Sequence, residues 1–377
     1  MEKIDIKSLN YDELADYIVS IGEKKFRAAQ LYSWMHEKLA CSYDEMTNIS
    51  DKLKKVLKEN TLYTCLEPVR VQESQIDGTK KYLFRLYDGN LIESVFMRYH
   101  HGNSVCISSQ VGCTMGCRFC ASTLNGCVRN LEPSEMLDQI YRIQSLTGER
   151  VSNVVIMGSG EPMDNYDNVV KFLGLINSDK GLNISQRNIS GEPFDNTENV
   201  FRFLDLISCE EGLNISQRNL TISTCGLIPG IEQLTARHSQ VTLALSLHAP
   251  NDELRKTMMP IAYTYSIEQI MDACRYYLLQ TARRISFEYS LVKGVNDSPE
   301  CAKQLIKLVH GMNCHINLIP VNPIKERDYE QSEKNSIHNF KEILEKAGVN
   351  VTIRREMGRD IDGACGQLRQ NHIEGML

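Results

Sequence analysis

Nowhere in the chain is there an apolar run long enough to cross a bilayer. The opening residues, MEKIDIKSLNYDELADYI, also lack the basic start and apolar stretch of a secretory leader. Both absences argue against membrane insertion and export, and lead to the expectation of a cytoplasmic protein with no membrane partner. Net positive charge is missing as well: 42 Lys and Arg stand against 48 Asp and Glu, a balance of −6. Whole-chain charge therefore offers no pull toward nucleic acid, and only local basic clusters could supply one. Such clusters occur at Lys24, Lys25 and Arg27, at Lys52, Lys54, Lys55 and Lys58, at Arg283 and Arg284, and at Arg354, Arg355 and Arg359. A solvated helix face explains the second of these.

What is present in quantity is cysteine, at 13 of 377 residues. A reducing cytosol rules out a disulfide framework. Cys41, Cys65, Cys209, Cys225, Cys274, Cys301 and Cys314 are scattered among apolar residues and are expected to be small buried hydrophobes. Five others crowd into residues 106–127, and Cys365 stands apart in a glycine-flanked loop. Those six are where chemistry is expected.

The length allows two or three domains, and a composition 42% hydrophobic and 24% charged is that of a soluble globular chain. Residues 1–61 read as helices. Asn10 and Glu13 form a capping-box start, a second helix is expected over 24–39, and a third begins after Ser50. Residues 62–103 change to β-rich runs separated by two Asp-Gly turns, a small meander. From 104 to 350 strands alternate with helical patterns. Strands are expected at Val105–Ser108, Asn153–Met157, Asn219–Ser223, Val241–Leu247, Ile285–Leu291 and Ile316–Pro320. This alternation predicts an α/β fold with a parallel sheet or barrel, whose active groups gather at the C-terminal ends of the strands. Residues 351–377 add a strand and the Cys365 loop.

Residues 160–190 and 191–221 form a tandem repeat of 31 residues, identical at 19 positions. Two copies are too few for a solenoid. The expectation is a duplication inside one barrel unit, with one copy's helix displaced outward. Only the first copy directly follows a strong strand, which favours Glu161 over Glu192 at the strand's mouth.

The segment Cys113-Thr-Met-Gly-Cys117-Arg-Phe-Cys120 places three thiols at spacings of four and three. Iron–sulfur clusters normally take four protein thiolates. Three would leave one iron open to the amine and carboxylate of an amino acid, the arrangement that holds S-adenosylmethionine (SAM) for reductive cleavage. The competing reading is zinc, with Cys106 or Cys127 as fourth ligand; structural zinc usually pairs two Cys-x-x-Cys knuckles, and a second is lacking.

In order and spacing, CISSQVGCTMGCRFCAS, MGSGEP, LTISTCG, ALSLHAP, LIPVNP and DIDGACGQL resemble the radical-SAM methyltransferases that act on C2 of adenosine in large-subunit ribosomal RNA. The resemblance spans nearly the whole chain and departs from the family in the repeated 31-residue unit. It implies a partial (βα)6 radical-SAM barrel behind an N-terminal helical domain and a small β-meander. It also implies a [4Fe–4S] cluster on Cys113, Cys117 and Cys120, and two SAM per turnover. Gly160 and Glu161 would contact the methionine part of SAM, Ser223, Ser246, Leu247 and His248 the rest, and Asn322 the ribose. Cys365 would carry a methyl group taken from one SAM, and Cys106 would release the product by attacking the Cys365 sulfur. Glu93 aligns with a proton acceptor; its competing reading is a solvated edge residue. The implied partners are 23S ribosomal RNA, transfer RNA as a second substrate, and an electron donor of flavodoxin or ferredoxin type, with the chain itself a monomer. Lys24, Lys25, Arg27, Lys80 and Lys81 would meet phosphate. Two alternatives stand beside this reading: a relative that methylates C8 of the same adenosine, and a non-catalytic RNA-binding protein with a metal on the three cysteines.

Overall fold

The structure, a computed structural model, describes residues 3–100, 102–156, 158–160, 165, 168, 171–172, 175, 189–191, 221–226, 228–236, 242–321, 328–354, 358, 360–362 and 366–375. Strand β1 (Ile4–Asp5) precedes helices α1 (Tyr11–Ser20), α2 (Phe26–His36) and α3 (Asp51–Asn60), and β2 (Thr61–Leu62) returns to pair parallel with β1. The α1 cap is reciprocal, as the Asn10/Glu13 spacing requires. The Asn10 side chain accepts from Glu13 N at 2.9 Å, and Glu13 accepts from Asn10 N at 2.8 Å. Ser50 caps α3 by accepting from Leu53 N. Leu14 and Ile18, Leu31 and Met35, and Leu53 and Leu57 turn one face of each helix into a shared core. Among the described residues no helix is long and apolar enough to cross a membrane.

Strands β3 (Glu67–Glu73), β4 (Lys80–Arg85) and β5 (Leu91–Tyr99) form the antiparallel meander, turned at the two Asp-Gly pairs. It is continuous with the main sheet, because β5 pairs antiparallel with β6 (Gly102–Cys106), with Val95 opposite Cys106. A short hairpin, β7 (Gln110–Gly112) with β8 (Cys127–Asn130), follows and leads into α4 (Pro133–Thr147). The chain then runs through β9 (Asn153–Ile156), β10 (Ile189–Gly191), β11 (Thr221–Thr224), α5 (Ile228–Ala236), β12 (Thr242–Ser246), α6 (Asp252–Met258) and α7 (Ile267–Thr281). It continues through β13 (Ile285–Leu291), α8 (Pro299–Val309), β14 (Cys314–Pro320), α9 (Lys334–Lys346), β15 (Val351–Ile353) and α10 (Gln367–Ile373). The main sheet has the order β15-β14-β13-β12-β11-β10-β9-β6-β5-β4-β3, parallel from β6 to β15. Leu245, Phe287, Tyr289, Ile316 and Leu318 pack beneath Ile270, Leu305 and Phe340 of the covering helices. Burying each such side chain is worth about 1.5–3 kcal/mol.

All six expected strands of the barrel are present, with the first displaced: it spans Gly102–Cys106 rather than reaching Ser108. The cause is Gln139 of α4. Its side-chain oxygen accepts Ser108 N at 2.8 Å and its amide donates to Ser108 O at 3.0 Å, so a side chain replaces the sheet ladder at that residue.

The repeat departs from expectation. The last two residues of the first copy and the first of the second form β10, inserted between β9 and β11. The duplication therefore adds a strand to the sheet instead of only pushing a helix aside. The Ile189-Ser190-Gly191 segment, set against the edge of a parallel strand, pairs its own backbone groups and spares them burial without partners.

Candidate functional site

Strands β6, β9, β11 and β12 end on one edge of the sheet, and the loops leaving those ends carry most of the expected site residues. The loop after β6 holds Cys113, Cys117 and Cys120 between the two strands of the β7–β8 hairpin. Cys113 N donates to Gly126 O at 3.0 Å, Cys120 N donates to Cys117 O at 3.2 Å, and Thr123 Oγ1 donates to the carbonyls of Cys117 (3.1 Å) and Cys120 (3.0 Å). Cys113 is buried, and Cys117 and Cys120 are half-buried. Met115 and Phe119 pack on Met258, Met259 and Val292, and Arg118 N donates to Met258 O, so the loop is seated on the end of α6.

Three thiols on one braced loop suit an iron–sulfur cluster, whose thiolates bind separate irons and need not converge on one ion. Among the described residues, no three His, Cys, Asp or Glu side chains gather as a single-ion site. Cys127, as near in sequence as Cys106, has its thiol 3.8 Å from its own strand's Arg129 carbonyl. The donor set thus fits three protein thiolates with one iron left for another ligand.

Gly160, at the end of β9, has φ +107°, and a Cβ there would lie 2.6 Å from Gln110 N. Only glycine lets this loop close onto the cysteine loop. Ser159 completes the joint: its carbonyl accepts from Ser109 N and Gln110 N, and its hydroxyl lies 2.9 Å from that of Ser122. Glu161 lies outside the described residues. The described residues of the first repeat copy are nonetheless docked in the barrel. Asn165 donates to the Ser109 and Leu131 carbonyls, and Phe172 and Leu175 are buried against the core that includes Leu137 and Val154.

Beyond the inserted β10, Ser223 lies in β11 opposite Ala244, and Ser246 ends β12 opposite Glu288. Leu247 is fully buried in the hydrophobic core, so only its main chain faces the strand ends. His248 is held at φ +56°, a conformation that non-glycine residues seldom adopt. Its Nδ1 accepts from Ser290 N at 3.0 Å, which leaves the proton on Nε2, and its ring meets Phe119 edge-on at 5.0 Å. Arg255 of α6, fully buried, donates through Nε to Leu247 O at 3.2 Å and through Nη2 to Ser246 O at 3.3 Å and to Cys225 O. One guanidinium thereby joins the ends of β11 and β12. Asn296 donates to the carbonyls of His248 (2.7 Å) and Ser290 (2.6 Å) and accepts from Val292 N.

Burial, with a smaller contribution from Arg255, lowers the pKa of His248 to about 3; burial, then Lys7, does the same to His36. In the unfolded chain each histidine protonates near its ordinary value of about 6.5. Between pH 6.5 and pH 3 the unfolded state therefore binds more protons than the folded one, and stability falls as pH falls. Each histidine should contribute a loss of about 2 kcal/mol at pH 5, since one pH unit is about 1.4 kcal/mol. Urea unfolding at pH 7.5 and pH 5 checks this: His36→Gln should remove about half of the two histidines' joint share, and an unchanged pH dependence would refute it.

The meander meets the C-terminal loop. Glu93 of β5 is buried, and its carboxylate accepts from Gly366 N at 2.7 Å and Arg369 N at 2.6 Å while lying 3.0 Å from Lys81 Nζ. Lys81 also donates to Asp362 O at 2.5 Å, and Gln72 exchanges two bonds with Asp362. Cys365 itself lies outside the described residues, but both residues flanking the undescribed stretch 363–365 are clamped to the meander. Gly366 in turn packs against Ala121 and Ser122, immediately after Cys120. Cys106 ends β6, half-buried, on the same edge.

Residues 4–62 match the ribosomal RNA large subunit methyltransferase N-terminal domain, and residues 107–306 match the radical SAM superfamily. A curated relative from Lachnospira eligens, named "Probable dual-specificity RNA methyltransferase RlmN", is 68% identical over 98% of this chain and 97% of its own length. The chain belongs to the RlmN family of radical SAM enzymes. A second relative of the same name, from Lachnoclostridium phytofermentans, is 56% identical over 99% of this chain and 96% of its own. Among solved structures, a radical SAM methyltransferase from Sphaerobacter thermophilus superposes with a TM-score of 0.75 at 37% identity, covering 97% of this chain and 98% of that one. The family's cofactors are a [4Fe–4S] cluster and SAM.

Family membership leaves several expectations to correct. Lys81 is no phosphate contact: it is fully buried in its pair with Glu93, and Lys80 pairs with Glu73 at 3.3 Å. Glu93 is not a solvated edge residue. Asn322, Arg355 and Arg359 lie outside the described residues, as does Cys209, whereas Lys24 and Lys25 are exposed. Pattern reading misses Arg255 and Asn296, which brace the main chain at the strand ends and at the His248 turn. Arg255 sits in an ordinary-looking helix and Asn296 in a turn sequence, and nothing local marks either as facing inward.

Proposed function

We propose that this chain methylates C2 of an adenosine in 23S ribosomal RNA and accepts adenine in transfer RNA as a second substrate. Beyond family membership, the observation carrying the proposal is the placement of the Cys365 loop. Its C-terminal anchor, Gly366, lies on the turn after Cys120 and is held there by Glu93.

Adenine C2 is an electron-poor carbon that a sulfonium methyl group cannot alkylate by a polar route, so radical chemistry is required. The cluster and SAM, when bound, supply the 5′-deoxyadenosyl radical. Cys113, Cys117 and Cys120 hold the cluster. Gly160 and Glu161 take the methionine part of SAM, with Ser223, Ser246, His248, the Leu247 main chain and Asn322 around the remainder. The docked first repeat copy supports Glu161 over Glu192 in this role. Arg255 and Asn296 keep the ends of β11 and β12 and the His248 turn in place. The Cys365 thiolate takes a methyl group from one SAM, releasing S-adenosylhomocysteine. That S-methyl gives a hydrogen atom to the deoxyadenosyl radical and adds through carbon to C2. The C2 hydrogen then leaves as a proton, with Cys106 its candidate acceptor, and the surplus electron returns to the oxidised cluster. Cys106 attacks the Cys365 sulfur, freeing the product and leaving a disulfide that a reductant then clears; a donor of flavodoxin or ferredoxin type would supply electrons to the cluster. The three donors on Glu93 support a positioning role beside the proton-acceptor role that the family resemblance implies. Reaching an adenine edge requires the base to be unstacked from the RNA.

The experiment is to map methyladenosines in ribosomal and transfer RNA from cells with and without this protein. Loss of 2-methyladenosine is expected; loss of the C8 isomer, or no loss, would overturn the proposal. Cys106→Ala should accumulate protein covalently joined to RNA through Cys365, visible as a nuclease-sensitive mass shift. Free, fully methylated RNA from that variant would rule out Cys106 as the releasing thiol.

A further inference from the structure

Of the scattered cysteines, Cys225, Cys274, Cys301 and Cys314 are buried as expected, but Cys65 is exposed and Cys41 half-buried. Cys41 lies in the loop after α2, and Cys65 between β2 and β3. Tyr63 Oη donates to Ala40 O at 2.7 Å, which brings the two cysteine-bearing segments together, and each thiol shifts the other's ionisation. Arg142 of α4 donates Nη1 to Cys41 Sγ at 2.7 Å and Nε to Leu66 O at 3.1 Å. The pair therefore sits where the N-terminal helices, the segment leading to the meander and the first barrel helix meet. None of the reaction's own thiols belongs to it.

The surroundings make the two sulfurs unequal. The neighbouring Cys65 thiol, aided by Arg142 and opposed by burial, lowers the Cys41 thiol to about 7. Cys65, beside Cys41 and partly desolvated, is shifted upward. One sulfur is a thiolate near neutral pH and its neighbour remains a thiol, an arrangement suited to disulfide exchange.

We propose that Cys41 and Cys65 are a redox modification site that closes reversibly to a disulfide, with a low-molecular-weight disulfide as co-reactant. The Cys41 thiolate attacks one sulfur of the small disulfide. Its S–S bond breaks, and one small thiolate leaves and is protonated. Cys65 then gives up its proton and attacks the Cys41 sulfur, displacing the second small thiol. In sum, two protein thiols lose two electrons and two protons, and one small disulfide becomes two thiols. The two neighbouring sulfurs close to the about 2.05 Å of an S–S bond. Closure removes the anionic partner of Arg142 and ties the loop after α2 to the segment that crosses α4.

The test uses the full-length, cluster-loaded protein under anaerobic conditions in glutathione buffers of graded reduced-to-oxidised ratio. After acid quench and alkylation, peptides are read by mass spectrometry while iron–sulfur absorbance is followed. A linked Cys41–Cys65 peptide should form as oxidised glutathione rises, vanish with dithiothreitol, and leave the cluster absorbance unchanged. Cys65→Ser should leave glutathione attached to Cys41. Arg142→Met should slow alkylation of Cys41 at pH 7 by about tenfold, and Arg142→Lys by less, because a cation remains beside the sulfur. Absence of the linked peptide at the most oxidising ratio would overturn the proposal. So would Cys41 reactivity indifferent to both Arg142 changes.

Discussion

Gly366→Ala should lower RNA methylation about a hundredfold, the scale expected when a reacting group is misplaced by about 1 Å. Gly366 has φ +81°, and an added Cβ would lie 2.8 Å from the Ala121 carbonyl carbon and closer still to Ser122 N. Both obstacles are backbone, braced by the turn that follows Cys120, so no flexible side-chain tip can yield. The C-terminal side must move instead, and it is the side that leads directly to Cys365. Glu93 would lose its bond to Gly366 N or be dragged with it. Iron bound per chain and 5′-deoxyadenosine formed from SAM should stay near wild type, because the three cysteines and the β9 loop are untouched. Methylation within threefold of wild type would show that this packing does not set the reactive geometry. Loss of iron together with methylation would mean that the turn after Cys120 had moved rather than the Cys365 loop.

Lys7→Met should destabilise the chain by about 3–5 kcal/mol, the range for removing one partner of a buried ion pair. Lys7 Nζ lies 2.8 Å from Asp138 of α4, with both side chains about 1% exposed, and its remaining surroundings are the Tyr63 and Tyr141 rings. Without the ammonium, Asp138 keeps only its hydrogen bond from Leu66 N, at 2.6 Å, among the described residues. The charge would stay buried and largely uncompensated. Urea unfolding reads the loss. A double change, Lys7→Met with Asp138→Leu, should recover most of it, since an apolar pair of similar volume is often as stable as a buried ion pair. A loss below about 1 kcal/mol in the single variant would mean that water reaches the junction, which the burial of both groups argues against.

Both expectations depend on contacts between segments remote in sequence, and this marks what pattern reading could reach. The capping box at Asn10 and Glu13, the Ser50 cap, the Asp-Gly turns and the six barrel strands were legible because each follows from neighbours a few residues apart. The three-cysteine loop was legible for the same reason: its thiols are spaced along one short stretch. Glu93 could be picked out only by resemblance, and its surroundings could not be inferred, since its donors come from residues 81, 366 and 369. Lys81 looked like a surface cation beside Lys80; in the fold, strand alternation turns it inward to meet Glu93.

The amino-acid sequence by itself determined the groups available to this protein: three thiols spaced along one short loop, alternating elements to carry them, and two further cysteines that the family resemblance assigns to methyl transfer and release. The first two follow from residue type and local spacing, which survive in any one-dimensional reading. Tertiary structure alone decided that the meander clamps the Cys365 loop against the turn after Cys120. It also decided that Arg255 joins two strand ends, that the repeat contributes a strand, and that Cys41 and Cys65 meet beside Arg142. Each includes at least one contact between groups about 24 to 290 residues apart that only burial and hydrogen-bond satisfaction bring together.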